Sequence, residues 1–291
     1  MNDTGFSLDA LLPPDIANKA ESVGIKKAQM DAWTIFVLAV LAGAFIAIGS
    51  MFAATVWAGG SELPYGVNRL LGGVAFCVGL ILVVVAGAEL FTGSVLIVMA
   101  CANKKVSVGL LLRNWGIVYA GNFVGALGTA GIMLLTKQYL FGKGIVGLTA
   151  LSIATAKVSL DPVQAVFLGI MCNALVCMAV WLCYSGHTVT DKILAILFPV
   201  TAFVAAGFEH CVANMYFIPL GLLIKRFASA EFWALEALAA HQPVVNIGTY
   251  ANLTWGNFFM NNLIPVTIGN VIGGAGLVGL VYWFAYLRGK P

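Results

Sequence analysis

Long stretches without a charged side chain are the feature that most restricts how this chain can fold. No Asp, Glu, Lys or Arg occurs at 32–61, 70–88, 114–136, 162–190 or 237–287. A helix needs about 20 apolar residues to cross the hydrocarbon core of a bilayer, and these stretches are about that length or longer. Only 9% of the 291 residues are charged, whereas a soluble domain carries about 25%. Continuous apolar runs also argue against the alternating strands of a barrel, so the sequence predicts an all-α polytopic membrane protein.

The apolar runs predict six transmembrane helices. They lie at 33–58, 70–103, 112–135, 162–185, 193–224 and 258–287. Residues 1–31 are predicted to form a cytoplasmic arm with an amphipathic helix, 32–287 the transmembrane domain, and 288–291 a cytoplasmic tail. Basic residues are slightly more frequent in the segments on the side of the N-terminus, and this bias places both termini in the cytoplasm.

The second and fifth runs are each interrupted by one carboxylate. Glu89 stands inside 70–103 and Glu209 inside 193–224. An unbroken helix of such length would exceed the roughly 30 Å hydrocarbon core, and an acid within it is costly and usually functional. A helix that is broken at the midplane accounts for both the length and the acid. The sequence therefore predicts that helices two and five are broken.

The two interruptions belong to a duplicated unit. Both contain Ala-Gly-x-Glu, at 86–89 and 206–209, and each is followed by Gly-Asn-x-x-Gly, at 121–125 and 269–273. Because a unit of three spans is odd, its second copy enters the membrane from the opposite side. We therefore predict an inverted 3+3 repeat, with the first copy at about 32–135 and the second at about 160–287.

Each predicted break exposes unpaired backbone N–H groups and the positive end of a helix dipole. Two such ends that face each other attract an anion without a fixed cation. Thr92 and Ser94 are supplied there by the first copy, and His210 and Asn214 by the second. The alternative for His210 is a hydrogen bond between helices. Its position at a break, beside Glu209, favours a functional role.

Other polar residues are predicted to support the breaks. A carboxylate can accept the unpaired N–H groups of a broken helix. We assign this role to Glu89 and Glu209, and a similar one to Asn122 and Asn270. The network around Glu209 is predicted to include Lys157 and Asn173.

The sequence contains no convincing sign of a metal, a cofactor or a nucleic-acid partner. His187, His210 and His241 are too scattered for a metal site, and no phosphate-binding loop is present. The net charge of +3 includes no basic patch for nucleic acid.

Several segments resemble the formate/nitrite transporter family, and most closely its formate channel. They are AGAELFTGSVLIV, GNFVGALG, GFEHCVANMYFIP, FASAEFW and NNLIPVTIGNVIGG. The resemblance covers residues 8–288. It implies an aquaporin-like protomer of six spans, assembled as a homopentamer in the bacterial inner membrane with a pore in each protomer. Such a protein carries formate or related small monocarboxylate and inorganic anions in both directions and in a pH-dependent way.

The resemblance also implies roles for individual residues. His210 is the central histidine and the proton relay, and Thr92 is the loop threonine. The polar network around the histidine corresponds to Glu209, Asn173, Lys157 and Asn214. The N-terminal arm is the moving part at the inner mouth and a docking point for pyruvate formate-lyase. The residues that correspond to apolar constrictions and pore lining are Phe76, Leu80, Phe91, Val176 and Phe203.

Three alternatives stay open at the level of sequence. The first is a nitrite, hydrosulfide or lactate channel of the same family. The second is an intramembrane enzyme that uses Glu209, His210 and Cys211, although adjacent helical side chains point about 100° apart and converge poorly. The third is a structural membrane scaffold, which leaves the duplicated interruptions unexplained. We therefore expect a transport protein and no enzyme.

Overall fold

The computed structural model describes residues 10–235 and 246–289, and the regular structure in these residues is helical. The first helices are α1 (Pro13–Gln29), α2 (Ala32–Trp57), α3 (Tyr65–Ala86), α4 (Phe91–Ala102) and α5 (Val108–Leu135). They are followed by α6 (Ile145–Val158), α7 (Pro162–Ser185), α8 (Val189–Ala205), α9 (Cys211–Phe227), the short α10 (Ala230–Trp233) and α11 (255–286). Single 3-10 turns lie at Gly60–Glu62, Gln138–Leu140 and Ile247–Tyr250.

Two of these helices are not uniformly α-helical. α4 contains a 3-10 segment at Val95–Ile97. α11 contains two π-helical segments, Phe258–Leu263 and Ile272–Leu280. His241 and most of a helical piece predicted near 230–240 lie outside the described residues, as do both chain ends.

Within the described residues, five segments are long and apolar enough to cross a membrane. They are α2, α3, α5, α7 and the segment Ile247–Tyr286, and the mean hydropathy of their most apolar windows lies between 1.6 and 2.5. The prediction of an all-helical membrane protein is confirmed. The predicted run 193–224 is divided between α8 and α9, each of 17 residues. A full crossing requires about 20 residues, so neither α8 nor α9 is long enough alone.

Charged residues at the ends of the apolar runs cap helices. The carboxylate of Asp31 accepts from the backbone N–H of Thr34 at the start of α2. At the start of α7 the carboxylate of Asp161 accepts from the N–H groups of Val163 and Gln164. Aspartate is a preferred N-cap because it satisfies N–H groups that have no partner within the helix.

The chain leaves helical geometry twice within an apolar run. α3 ends at Ala86, and Gly87 adopts a φ of +82° before α4 begins. α8 ends at Ala205, and Gly207 adopts a φ of +78° before α9 begins. Glycine takes this left-handed conformation without the penalty that a side chain adds. Both glycines therefore end one helix and turn the chain toward the next.

Glycines allow the long helices to approach closely. α2 packs against α3 and α5, and α7 packs against α8 and α11. A Cβ atom placed on Gly125 of α5 would lie 1.9 Å from the carbonyl oxygen of Val40. The equivalent atom on Gly273 of α11 would lie 2.1 Å from that of Ile170. Backbone therefore meets backbone at both contacts, as is common where small residues line helix interfaces in membranes.

We predict that Gly125→Ala destabilises the protein, because the added methyl group must push α5 away from α2. Overpacking of this kind typically costs about 1–3 kcal/mol. The midpoint of thermal unfolding in detergent measures the effect, and a clear decrease is expected.

Gly128→Ala is the matched control, since it lies one turn further along α5 and an added Cβ would meet nothing within 4 Å. An equal decrease for both variants would contradict the close-packing explanation.

Candidate functional site

The two interruptions meet through a threonine and a histidine. Thr92 lies in the first turn of α4, and His210 directly precedes α9. The Thr92 Oγ1 and His210 Nε2 atoms are 2.9 Å apart, and both side chains are buried. Two residues that lie 118 positions apart in the chain thus form one polar contact inside an apolar protein.

The hydrogen bonds of His210 indicate which ring nitrogen carries the proton. The backbone N–H of Ala213 donates to Nδ1 at 3.1 Å, which makes the ring the N-cap of α9. Nδ1 therefore presents its lone pair. In the neutral ring the proton then lies on Nε2, which donates to Thr92 Oγ1. The threonine hydroxyl keeps its own proton for another acceptor.

Two asparagines hold the two non-helical segments. The Nδ2 group of Asn122 donates to the carbonyl oxygens of Ala39 and Glu89 at 2.7 and 2.9 Å, and its Oδ1 accepts from Phe91 N at 2.9 Å. These bonds tie α2, the first interruption and α5 together. All of this backbone is buried. A peptide group without a hydrogen-bond partner costs several kcal/mol inside a bilayer.

Asn270 makes the same three bonds at the second interruption. Its Nδ2 donates to the carbonyl oxygens of Gly169 and Glu209 at 2.8 and 2.9 Å, and its Oδ1 accepts from Cys211 N at 2.9 Å. The roles of α2 and α5 are taken here by α7 and α11. Asn122 and Asn270 therefore act as equivalent supports for the two segments.

The carboxylates have a different role from the one expected from the sequence. Glu89 and Glu209 were expected to accept unpaired N–H groups of the interrupted helices. The N–H groups of Phe91 and Cys211 donate instead to the Oδ1 atoms of Asn122 and Asn270. The Glu89 carboxylate accepts from Lys27 Nζ at 3.0 Å and from the Ser94 hydroxyl at 3.3 Å. Each acid instead anchors side chains around its interruption.

Glu209 is the centre of the corresponding network in the second half. Its Oε1 lies 2.7 Å from Lys157 Nζ, and its Oε2 accepts from the Nδ2 groups of Asn214 and Asn262 at 2.7 and 3.1 Å. Asn173 lies outside this network, and its Nδ2 donates to the carbonyl oxygen of Asn270 at 2.7 Å.

Lys27, Asn114 and Asn262 were not singled out from the sequence. Lys27 precedes the cap residue of α2 by four positions, as Lys157 precedes that of α7. A second repeated spacing is an asparagine eight positions before each supporting asparagine, namely Asn114 and Asn262. Their Nδ2 groups donate to the carbonyl oxygens of Lys27 and Lys157. A comparison of the two halves at these spacings would have found all three residues.

Two cavities flank this region, and each contains a Lys–Glu pair. The His210 cavity, of about 270 Å³, has Lys157, Glu209, His210 and Asn214 among its lining residues. The Lys27 cavity, of about 330 Å³, is lined by Lys27 and Glu89 together with apolar residues of α3 and α7. The openings are thus lined mainly by apolar groups, with a few charged groups at defined positions.

Three of the predicted apolar residues lie at the cavity walls. Phe76 and Phe203 line the His210 cavity, and their rings are in edge contact with centroids 5.6 Å apart. Leu80, four residues after Phe76 on α3, lines the Lys27 cavity. The phenyl ring of Phe203 also stacks on the His210 imidazole at 6.0 Å. One turn of α3 therefore separates the two cavities.

The other two predicted apolar residues are not among the lining residues of either cavity. The Phe91 ring packs edge-on against Tyr119 and Trp115 of α5. Val176 is buried in the main core. The structure thus places both in the packing around the site.

In the described residues no group of three or more His, Cys, Asp or Glu side chains is arranged to hold a metal ion. The cysteines of this part of the chain are unpaired thiols, and five of the six are buried.

The fold and the site define a polytopic helical membrane protein in which two interrupted helical segments bring polar groups together between two largely apolar cavities. The chain belongs to the formate/nitrite transporter family, whose model matches residues 14–284. The resemblance seen in the sequence is thereby confirmed.

Individual relatives agree with this assignment. The chain is 46% identical over 280 residues to the formate channel FocA of Escherichia coli K12, with 96% of each chain covered. It is 41% identical over 271 residues to the formate channel FocA of Haemophilus influenzae, with 93% of each covered. A solved structure of a pentameric formate channel with formate bound superposes with a TM-score of 0.82 at 47% identity, and the match covers 88% of this chain and 98% of that one. These relatives are channels and not enzymes, so the enzyme alternative is rejected.

We predict that Lys157→Met destabilises the protein, because it leaves the buried Glu209 carboxylate without its ammonium partner. Breaking a buried ion pair on one side costs about 3–5 kcal/mol. The double variant Lys157→Met/Glu209→Gln removes the unpaired charge and is expected to recover most of the loss. Thermal unfolding of both variants in detergent measures the difference.

Lys26→Met is the control for the loss of a lysine, since Lys26 is exposed on α1. Equal stability of the single and the double variant would show that the pair contributes nothing beyond the packing of the two side chains.

Proposed function

We propose that the protein is a pH-dependent channel for formate and related small monovalent anions, assembled as a homopentamer in the bacterial inner membrane with both termini in the cytoplasm. The names of the relatives support formate as the substrate and the pentamer as the assembly. The observation that carries the proposal is the buried Thr92–His210 contact, whose histidine lines a cavity with apolar sides.

The proposed topology is six spans in an aquaporin-like inverted repeat, with copies at about 32–135 and 160–287. α3 and α4 form one interrupted span, and α8 and α9 form the other. The matched bonds of Asn122 and Asn270 support this arrangement. A three-span unit is odd, so its second copy runs in the opposite direction.

The apolar side chains between the cavities set the energetic problem for a permeating anion. Phe76, Leu80 and Phe203 offer no hydrogen bond to replace the water of a carboxylate. An ion without such replacement pays far more for desolvation than a neutral polar molecule does. Formic acid therefore passes this turn of α3 more easily than formate does.

The site has donors for the anion and an acceptor for the acid. His210 Nε2–H and the Thr92 hydroxyl can both donate to a carboxylate oxygen. The Oδ1 atom of Asn214, which lines the same cavity, is buried and has no hydrogen-bond partner among the described residues. That oxygen can accept the O–H of a neutral acid. The same few atoms thus suit both protonation states of the substrate.

Proton relay at His210 is coupled to the cap of α9. An imidazolium donates from both nitrogens, so protonation of Nδ1 displaces the Ala213 N–H that now donates to it. Passing the Nε2 proton to the substrate neutralises the ring as its Nδ1–H tautomer. The cap of α9 re-forms when Nδ1 releases its proton and Nε2 takes one up again. The charged state of His210 is therefore transient in this mechanism, and pH controls how often it is reached.

His210→Asn tests the relay with little disturbance of the helix. Asparagine is a good N-cap residue and cannot bind a proton. We expect formate flux in proteoliposomes to lose its dependence on pH between about pH 5 and 8, because the imidazole that exchanges protons is absent. Flux itself is expected to fall because neutral acid is no longer formed at the site.

His187→Asn is the control, since this histidine is exposed, lies just before the cap residue of α8 and is not among the residues that line the His210 cavity. A pH profile of His210→Asn that matches the wild type would remove the relay from the mechanism and leave the channel itself in place.

The N-terminal arm is the proposed gate of the Lys27 cavity. Glu21 of α1 is buried and accepts from Lys105 Nζ at 2.8 Å and from Asn103 Nδ2 at 2.5 Å. Lys19 Nζ donates to the carbonyl oxygen of Tyr184 at 2.7 Å. Lys19 and Lys27 also line the cavity, so α1 forms part of its wall. Docking of pyruvate formate-lyase on this arm remains an expectation from the family.

We predict that Glu21→Gln loosens the arm, because the amide cannot replace the charged bond to Lys105. Charge-assisted hydrogen bonds are roughly twice as strong as neutral ones. Limited proteolysis is expected to cleave α1 faster, and formate flux is expected to rise.

Asp15→Asn is the matched control, as Asp15 lies exposed on the same helix. Faster cleavage of α1 without a change in flux would show that the arm does not gate the cavity.

A nitrite channel is the second candidate, because the family description covers both anions. Hydrosulfide and lactate also fall within the range of small monovalent anions. Competition of each anion against formate flux in the same vesicles ranks them, and the proposal requires formate to be a preferred substrate.

A further inference from the structure

The charges around the His210 cavity do not balance. Among the described residues that line it, the charged ones are Arg69, Lys157 and Glu209. Lys157 and Glu209 form an ion pair at 2.7 Å, so their charges largely cancel at a distance. The remaining positive charge is that of Arg69.

Arg69 is held by neutral partners. Its Nη2 donates to the carbonyl oxygen of Val204 at 2.6 Å, and its Nε donates to that of Ala205 at 3.2 Å. These carbonyls belong to the last turn of α8, whose dipole favours a cation. A carbonyl oxygen satisfies the donors of a guanidinium without neutralising its charge. The positive field of Arg69 therefore reaches the cavity.

The guanidinium is also fixed in position. It lies 4.7 Å from the centroid of the Trp57 ring, in a cation–π contact. The Trp57 ring stacks in turn on Phe217, which lines the cavity as well. Nε and Nη2 are used by the two carbonyls, and neither bond uses Nη1. A planar group that is held on one edge and keeps another donor nitrogen is well suited to bind a carboxylate.

We propose that Arg69 captures the permeating anion in the His210 cavity before it reaches His210. This inference rests on the proposed transport function and assigns a substrate-binding residue to it. The ligand class is a small monovalent oxyanion such as formate, bound by one or two N–H groups of the guanidinium and attracted by its uncompensated charge. Arg69 then sets how much substrate the cavity holds at low concentration, and Thr92 and His210 act on it afterwards.

Capture and positioning predict different kinetics, because Arg69 also caps the helix that leads to Gly207 and His210. Loss of capture raises the concentration that gives half-maximal flux and leaves the maximal flux nearly unchanged. Loss of positioning lowers the maximal flux, since the Thr92–His210 contact is then disturbed. The concentration dependence of flux therefore separates the two roles.

The test compares Arg69→Gln and Arg69→Lys with the wild type in proteoliposomes, with formate flux measured over a range of formate and salt concentrations. Removing a unit charge about 4 Å from the anion in water-like surroundings is worth about 1 kcal/mol, or about a fivefold change in affinity. Arg69→Gln is expected to raise the half-saturating formate concentration about fivefold and to weaken the salt dependence. Arg69→Lys keeps the charge but lacks the planar guanidinium, so its half-saturating concentration is expected to lie between those of Arg69→Gln and the wild type.

A charge-restoration experiment serves as the second measurement if Arg69→Gln is poorly folded. The R69C thiol is reacted with a cationic or an anionic methanethiosulfonate reagent, so that the same folded protein receives either charge. The cationic adduct is expected to lower the half-saturating concentration and the anionic adduct to raise it. Treated wild type controls for reaction at Cys101, which is the partly exposed native cysteine among the described residues.

The outcomes distinguish this inference from the proposed function. Equal half-saturating concentrations for wild type and Arg69→Gln, or equal effects of the two adducts, overturn the capture role. If wild type carries no formate, the proposed function fails, and the rise in unfolding temperature with added formate still tests capture. A rise that is present in the wild type and lost in Arg69→Gln then supports binding at Arg69, whereas equal rises overturn it.

Discussion

The buried backbone at the two interruptions is the constraint on which the rest of this structure depends. An apolar environment offers no water to peptide groups that leave a helix, so each must find a partner within the protein. Asn122 and Asn270 meet this requirement with one side chain at each interruption, and each joins three separate segments through two donors and one acceptor. The positions of Thr92 and His210 follow from these supports, because Phe91 and Cys211 are held directly beside them.

The charged residues are arranged so that fixed pairs and free charge have separate roles. Lys27–Glu89 and Lys157–Glu209 are ion pairs in the protein interior, and each connects an interruption to the helix that precedes its repeat. Burying such pairs gives little net stability, but it specifies the geometry around them. Arg69, whose partners are carbonyl oxygens, retains its charge at the cavity wall. A site for a permeating anion benefits from this separation, because a strong fixed counter-charge would compete with the substrate.

Comparison of the two halves explains which parts of the site could be predicted. Glu89 and Glu209 stood out because an acid in an apolar run is rare. The asparagines stood out because a Gly-Asn-x-x-Gly motif follows each acid in the same order. Lys27 and Asn262 also have counterparts in the other half, Lys157 and Asn114. These matches are visible only when the two halves are aligned outside the two motifs. Phe91 and Val176 were assigned by resemblance alone, and Asn173 was assigned to the network around Glu209. Nothing in their own spacing indicates which helix face they occupy, and the structure places them in the packing around the cavities.

The sequence by itself determined that this protein lies in a lipid bilayer. It also determined the number of apolar runs and the two points at which those runs are interrupted. These are properties of local composition. A carboxylate within a hydrophobic run is costly, and a glycine there permits a turn, wherever the run lies in the fold. Only the tertiary structure decided that Thr92 contacts His210, that asparagines and not carboxylates satisfy the interrupted backbone, and that Arg69 caps α8 at the cavity wall. Each of these contacts joins residues more than 30 positions apart. Their geometry depends on how closely the glycine-lined helices approach one another, which no single segment specifies.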